Sequence, residues 1–135
     1  MKSRDSLIRL KKFQVDEKRR QLMAIEMMIA DFNRMANELD LQIKSEQERS
    51  GITDVGHFAY PTFAKAAITR RDNLLQSADD LSGQFEAAQD ALAEAVEELK
   101  KVELLEERDQ SRARAEEEAA EQEELDEMAL RIASR

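Results

Sequence analysis

The chain has 135 residues, of which 38% are charged and only 4% aromatic, and its net charge is −9. That balance argues against a round single-core globule, which carries more aromatic, Gly and Pro residues, and against a nucleic-acid partner. There is no cysteine to build a disulfide framework, and no stretch approaches the roughly 18 apolar residues that a membrane-spanning helix needs.

The first twenty residues hold eight Lys or Arg and no long apolar run, so a signal peptide is not expected and the expected location is cytoplasmic. From Ile8 the chain repeats in sevens. One series, apolar throughout, is Ile8, Val15, Leu22, Ile29, Ala36 and Ile43; the second, Lys11, Lys18, Ile25, Phe32, Leu39 and Glu46, is non-apolar only at its two ends. Such a two-per-heptad pattern predicts a coiled-coil helix from about 5 to 50, capped by Ser3 or Ser6, a rod of roughly 70 Å. Its apolar face is too narrow for a helix lying in a membrane interface. Met28 and Met35 flank the seam and are expected at its edge, whereas Met23 and Met27 point outward.

Gly51, Gly56, His57, Tyr60 and Pro61 then cluster within a few positions. Gly51 suits a left-handed helix C-cap and Pro61 the first turn of a new helix, so residues 51–60 are expected to connect two helices. His57 is the only histidine and has no second ligand or triad partner nearby, which makes it an exposed loop residue rather than a metal or catalytic group. The two glycines are not a phosphate loop, because no Gly-Lys-Ser/Thr follows them.

The second helix is expected from about 61 to 133, with Gly83 at an outer position. Its seam is Ala64, Ala67, Arg71, Leu74, Ala78, Leu81, Phe85, Ala88, Leu92, Ala95, Leu99 and Val102. A connection this short makes the helices antiparallel. Folding the chain at Val55 sets Leu22 opposite Ala88, Phe32 opposite Ala78, Ala36 opposite Leu74, Ile43 opposite Ala67 and Val15 opposite Ala95, large against small. It also sets the basic residues 1–20 beside residues 90–109, where eight acidic side chains meet three basic ones. Opposite charges along the flanks fix orientation and register. Lys11 and Lys18 are expected to reach acidic neighbours from the seam.

The seam ends at about Glu106, so the second helix overhangs its partner as a single, unpaired helix in what is expected to be one coiled-coil domain. Residues 106–124 hold no apolar side chain larger than Ala. The last eleven residues, LDEMALRIASR, then set Leu125, Met128, Ala129 and Ile132 at helical spacing as an apolar stripe with nothing in the chain to cover it. Carboxylate pairs such as Glu97 and Glu98 lie on a solvated face without a pocket, so neither an enzyme nor a cofactor site is expected.

Three features together resemble the FliJ family of flagellar export stalk proteins: Gly51-Ile52-Thr53 followed by Tyr60 and Phe63 at the hairpin, the LDEMALRIASR ending, and the two-helix arrangement itself. Gly56 and Pro61 depart from the family's hairpin, and Arg70 and Arg71 fall on its gate-facing surface. The resemblance implies a non-enzymatic stalk that binds the hexameric flagellar export ATPase through its N- and C-terminal end, meets the membrane export gate protein through its hairpin region, and escorts export chaperones. It implies ATPase contacts at Leu125, Asp126, Glu127, Met128, Ala129, Arg131 and Ile132, and gate contacts at Phe63, Ala67, Arg70 and Leu74. It implies a cytoplasmic protein held at the inner membrane through the apparatus, with no insertion of its own. The residues leave two other readings open: the stalk of a virulence-type injectisome, and a purely structural adaptor or chaperone.

Overall fold

A computed structural model describes the backbone of residues 2–134 and the side chains of residues 4–134. The described residues are all-α: helix α1 (Lys2–Ser50), helix α2 (Thr62–Asp80) and helix α3 (Ser82–Ala133), with no strand, folded as the helical hairpin that the heptads predict. They pack as two units. One is Asp16–Ala93; in the other, the segment up to Val15 packs with the segment from Glu94 onward.

In the unit Asp16–Ala93, α1 lies against α2 and the start of α3 along the heptad seam. Ala36, Ile43, Ala64, Ala67 and Ala78 are buried, and Leu22, Ile25, Ile29, Phe32, Leu39, Leu74, Leu81, Phe85 and Ala88 are half-buried. Buried alanines let the backbones approach, and the larger residues of α1 fill the layers opposite them. Arg71 occupies a seam position without leaving its charge unmet: its Nη1 donates to Asp40 Oδ1 at 2.7 Å across the helices, and its Nε and Nη2 both donate to Asp72 Oδ1. The bond to Asp40, followed by that to Asp72, raises the Arg71 pKa above its ordinary value. Met35 is half-buried at the seam edge, but Met28, expected beside it, is 47% exposed. It flanks the seam at a point where nothing reaches over it.

The hairpin end is closed by the residues that the sequence clusters there. Gly51 has φ of 74°, the left-handed region that favours Gly, and its N–H donates to the Gln47 carbonyl at 2.8 Å. Pro61 is the residue just before the first turn of α2 rather than within it; its carbonyl accepts from the Lys65 N–H at 3.1 Å. Tyr60 is buried, and its hydroxyl accepts a bond from Gln47 Nε2 at 2.9 Å. It plugs the end of the helix pair with its ring and ties the connection to α1 through its oxygen. Replacing it tests both roles. Tyr60→Phe keeps the ring and strands Gln47, and is expected to lower stability by about 0.5–1.5 kcal/mol in urea unfolding, while Tyr60→Ala is expected to lower it several-fold more.

The helix expected to run from 61 to 133 is interrupted at Leu81. Leu81 leaves α2 with its N–H shared between the Ala78 and Asp79 carbonyls, and Ser82 Oγ donates to the Asp79 carbonyl at 2.7 Å. A serine hydroxyl that takes a backbone carbonyl competes with the helix's own amide for it, and Gly83 beside it adds backbone freedom, the pairing that commonly bends helices. The heptad seam continues through the break, because Leu81 and Phe85 are both half-buried.

In the other unit, Val15 and Ala95 are buried and Ile8, Leu99 and Val102 half-buried. Lys11 Nζ donates to Glu98 Oε2 at 3.0 Å, and Arg4 is ion-paired with Asp109 and lies 4.0 Å from Glu106. Arg4 and Glu106 pair as a fold at Val55 requires; Lys11 with Glu98, and Asp40 with Arg71 in the first unit, fall one residue from that register. Lys18, in the unit Asp16–Ala93, is half-buried at its seam position, but among the described residues it forms no ion pair, so the acidic neighbour expected for it is not reached. Helix α1 begins before Ser3 and Ser6, so neither caps it. From Glu107 to Ser134 every residue is exposed.

Candidate functional site

Two surfaces carry the residues singled out by the sequence, and they lie in different units. The first is the last part of α3. Leu125, Met128 and Ile132 are each more than half exposed, and Ala129 lies between them on the same side of the helix at three- and four-residue spacing. Asp126 and Glu127 sit beside this stripe; Asp126 Oδ1 accepts from Gln122 Nε2 at 3.0 Å, one turn earlier. Arg131 supplies positive charge in the last turn, where the free carbonyls collect negative charge, and Ser134 Oγ donates to its carbonyl at 3.0 Å. Sequence reasoning passed over Leu130, which is 70% exposed. It falls off the stripe, so a search for one periodic face does not find it. The same unit also exposes Leu7, Leu10, Phe13, Leu104 and Leu105, none of them at a seam position, which is the signal that marks them.

Electrostatics close the base of this unit. Arg4, by its hydrogen bond and its charge, holds the Asp109 carboxyl below its usual range, with Arg112 and Arg108 adding to the effect. Glu106 Oε2, nearest of the other carboxylate oxygens, is buried without a hydrogen bond. Because Asp109 titrates lower in the folded chain than when unfolded, its tie to Arg4 is fully present above the ordinary carboxylate range and is lost as the pH falls through the lowered value. Acidification through that window is expected to reduce amide protection in the first turns of α1, measured as protection factors by hydrogen exchange. Asp109→Asn is expected to show that reduced protection at every pH, without the acid-induced change.

The second surface is the start of α2. Phe63 is 54% exposed and Arg70 is exposed, but Ala67 is only 3% exposed and Leu74 is half-buried. The four residues do share one side of the helix, and that side is the margin of the seam. Ala67 is therefore packed against α1, behind Phe63 and Arg70 on this side of the helix. Leu74 and Arg70 border a groove between α1 and α2 lined also by Met35, Leu39, Gln42 and Ser77. His57 is exposed, as expected of a loop residue; Val55, the expected folding point, and Phe58 are exposed too.

The Flagellar FliJ protein family model matches residues 1–135. The chain belongs to the FliJ family. Neither a comparison with curated proteins nor one with solved structures returned a match. The FliJ family is one of structural coiled-coil stalks of flagellar protein export, and the helical hairpin of this member fits that role. Among the described residues no helix is long and apolar enough to cross a membrane, and no cluster of three or more His, Cys, Asp or Glu side chains is arranged to hold a metal ion.

Proposed function

We propose that this FliJ-family chain couples the hexameric flagellar export ATPase to the membrane export gate protein, working as a single coiled-coil domain whose α3 arm is unpaired beyond about residue 106. The arm docks on the ATPase ring through Leu125, Met128, Ala129 and Ile132, with Asp126, Glu127 and Arg131 as polar contacts. Docking biases the ring toward its assembled, active form and raises ATP turnover. At the hairpin, Phe63 and Arg70 meet the gate, with Leu74 at the margin and Ala67 holding the helix in place behind them. The protein performs no chemistry of its own, escorts export chaperones, and sits at the cytoplasmic face of the inner membrane through these partners.

One observation carries the proposal: an apolar stripe on a helix exposed throughout residues 107–134, in a chain of this family. Apolar side chains aligned on an otherwise acidic arm add nothing to the stability of the free protein, so they are accounted for by a partner. The test is ATP turnover by the purified export ATPase with and without the intact chain. Stimulated turnover and a larger hexamer fraction are the expected result. Unchanged turnover and assembly would make the protein a structural adaptor instead.

A further inference from the structure

Nothing in the shape of α3 requires glycine at position 83. Among the described residues Gly51 alone has a positive φ, so the Gly83 backbone is one that any residue adopts, and a Cβ added there would meet no atom within 4 Å. Glycine nevertheless weakens the helix, holding a turn about fivefold less well than alanine. The weakness falls at the joint between α2 and α3. There the Leu81 N–H bonds the Ala78 carbonyl at 3.2 Å, three residues back rather than four. The Ser82 hydroxyl takes the Asp79 carbonyl at 2.7 Å, the acceptor that the Gly83 amide uses in an unbroken helix. Opposite the joint, α1 runs without a break from Lys2 to Ser50, and its Ile29 and Asn33 share an open groove with Ala78, Ser82 and Phe85. Among the described residues of the unit Asp16–Ala93, the polar ties between the helices are Gln47 with Tyr60 and Asp40 with Arg71, both on the hairpin side of the joint. At the joint the second helix meets the seam with half-buried Leu81 and Phe85. Apolar attraction is non-directional, so such a contact tolerates sliding.

We infer that residues 81–83 are a flexure at which the helix pair bends, with α2 and α3 on the outer side and α1 curving on the inner side. Geometry sets the requirement. Two helices packed about 8–10 Å apart bend by about 15° in their common plane only if the outer one lengthens by about 2–2.5 Å. A continuous α-helix is held at ~1.5 Å per residue by its hydrogen bonds and resists. Loosening residues 81–84 toward the roughly 2.0 Å per residue of a 3₁₀ turn supplies about 2 Å. The ladder is already interrupted there, and Gly83 lowers the cost of the change. The inner helix needs no break, because long helices curve smoothly around what they pack on. The seam stays closed while the hairpin end turns relative to the first turns of α3.

The test uses the full chain, which has no cysteine, so nitroxide labels attach only where one is introduced. One pair, Lys65→Cys with Asp90→Cys, straddles the joint; a control pair, Arg20→Cys with Lys44→Cys, lies along α1, and all four positions are exposed. Each pair is roughly 36–38 Å apart along its helix. By double electron–electron resonance, the pair across the joint is expected to give a distance distribution about twice as wide as the control. Adding Ser82→Ala and Gly83→Ala is expected to narrow it to the control's width. In hydrogen exchange, amides 83–85 of the natural chain are expected to exchange at least about tenfold faster than amides 70–77, and to lose that difference in the double alanine variant. A distribution across the joint as narrow as the control's overturns the flexure. A wide distribution that the double alanine variant leaves wide puts the bend elsewhere and overturns it too. Fast exchange of amides 83–85 with a narrow distribution means fraying in place, which also rules the bend out.

Discussion

A chain cut after Asp109 is expected to keep its paired helices and to lose the stimulation of the export ATPase proposed for the intact chain. Every residue from Glu107 to Ser134 is exposed, so the cut removes no packed apolar surface. The ties across the helices that remain include Asp40 with Arg71, Lys11 with Glu98, and Arg4 with Glu106 and Asp109. The thermal midpoint is therefore expected to stay within a few degrees of that of the intact chain, since ~1 kcal/mol moves a domain of this size by no more than about 4–8 °C. The helical circular dichroism should fall only in proportion to the residues lost. ATP turnover, by contrast, is expected to return to the level of the ATPase alone, because Leu125, Met128 and Ile132 leave with the arm. A milder variant separates the stripe from the arm: Leu125→Ser, Met128→Ser and Ile132→Ser together keep the length and charge of α3 and are expected to lose most of the stimulation. Full stimulation by either form would move the ATPase contact elsewhere.

Ile43→Ala is expected to destabilise the helix pair by about 2–5 kcal/mol, a large part of the roughly 5–15 kcal/mol that holds a small domain together. Ile43 is 4% exposed, and the register sets it against Ala67, itself 3% exposed, with Ala64 fully buried one turn away. Alanine there lets the two backbones come close, and Ile43 is the side chain that fills the layer. Its truncation leaves a hole that the short neighbours cannot fill. The reverse change, Ala67→Leu, overfills the same layer and is expected to cost about 1–3 kcal/mol. Combined, the two changes restore volume, so the double variant should be more stable than the sum of the single effects predicts. Urea midpoints of the four proteins measure this directly. Strict additivity would mean that residues 43 and 67 do not share a layer, since only neighbours couple.

Much of this molecule is legible in its spacing. The seven-residue repeat identifies the buried stripe: every described a and d position from Ile8 to Glu46 and from Ala64 to Val102 is at least half-buried, including Lys11, Lys18 and Arg71. The same repeat explains why Ala67, which the family's pattern places on the gate-facing side, is buried: it is also a seam position. The terminal stripe of Leu125, Met128 and Ile132 is equally visible, because periodicity on one helix needs no knowledge of its neighbours. Leu130 and Phe58 are not part of any such stripe, since Leu130 falls off the terminal face and Phe58 lies in the connection, where no period runs.

The amino-acid order alone sets where the chain turns back, which faces of the helices meet and in what register. These depend on spacing summed over many residues, and a pattern repeated six times survives any single local exception. The interruption at Leu81, the plug made by Tyr60 and the posture of His57 and Phe58 emerge only in three dimensions. Each is settled by a contest between a few groups: the Ser82 hydroxyl and a backbone amide for one carbonyl, Gln47 reaching the Tyr60 oxygen, the Ala59 amide finding the imidazole. Such contests turn on distances of a few tenths of an ångström between atoms that sequence spacing does not place.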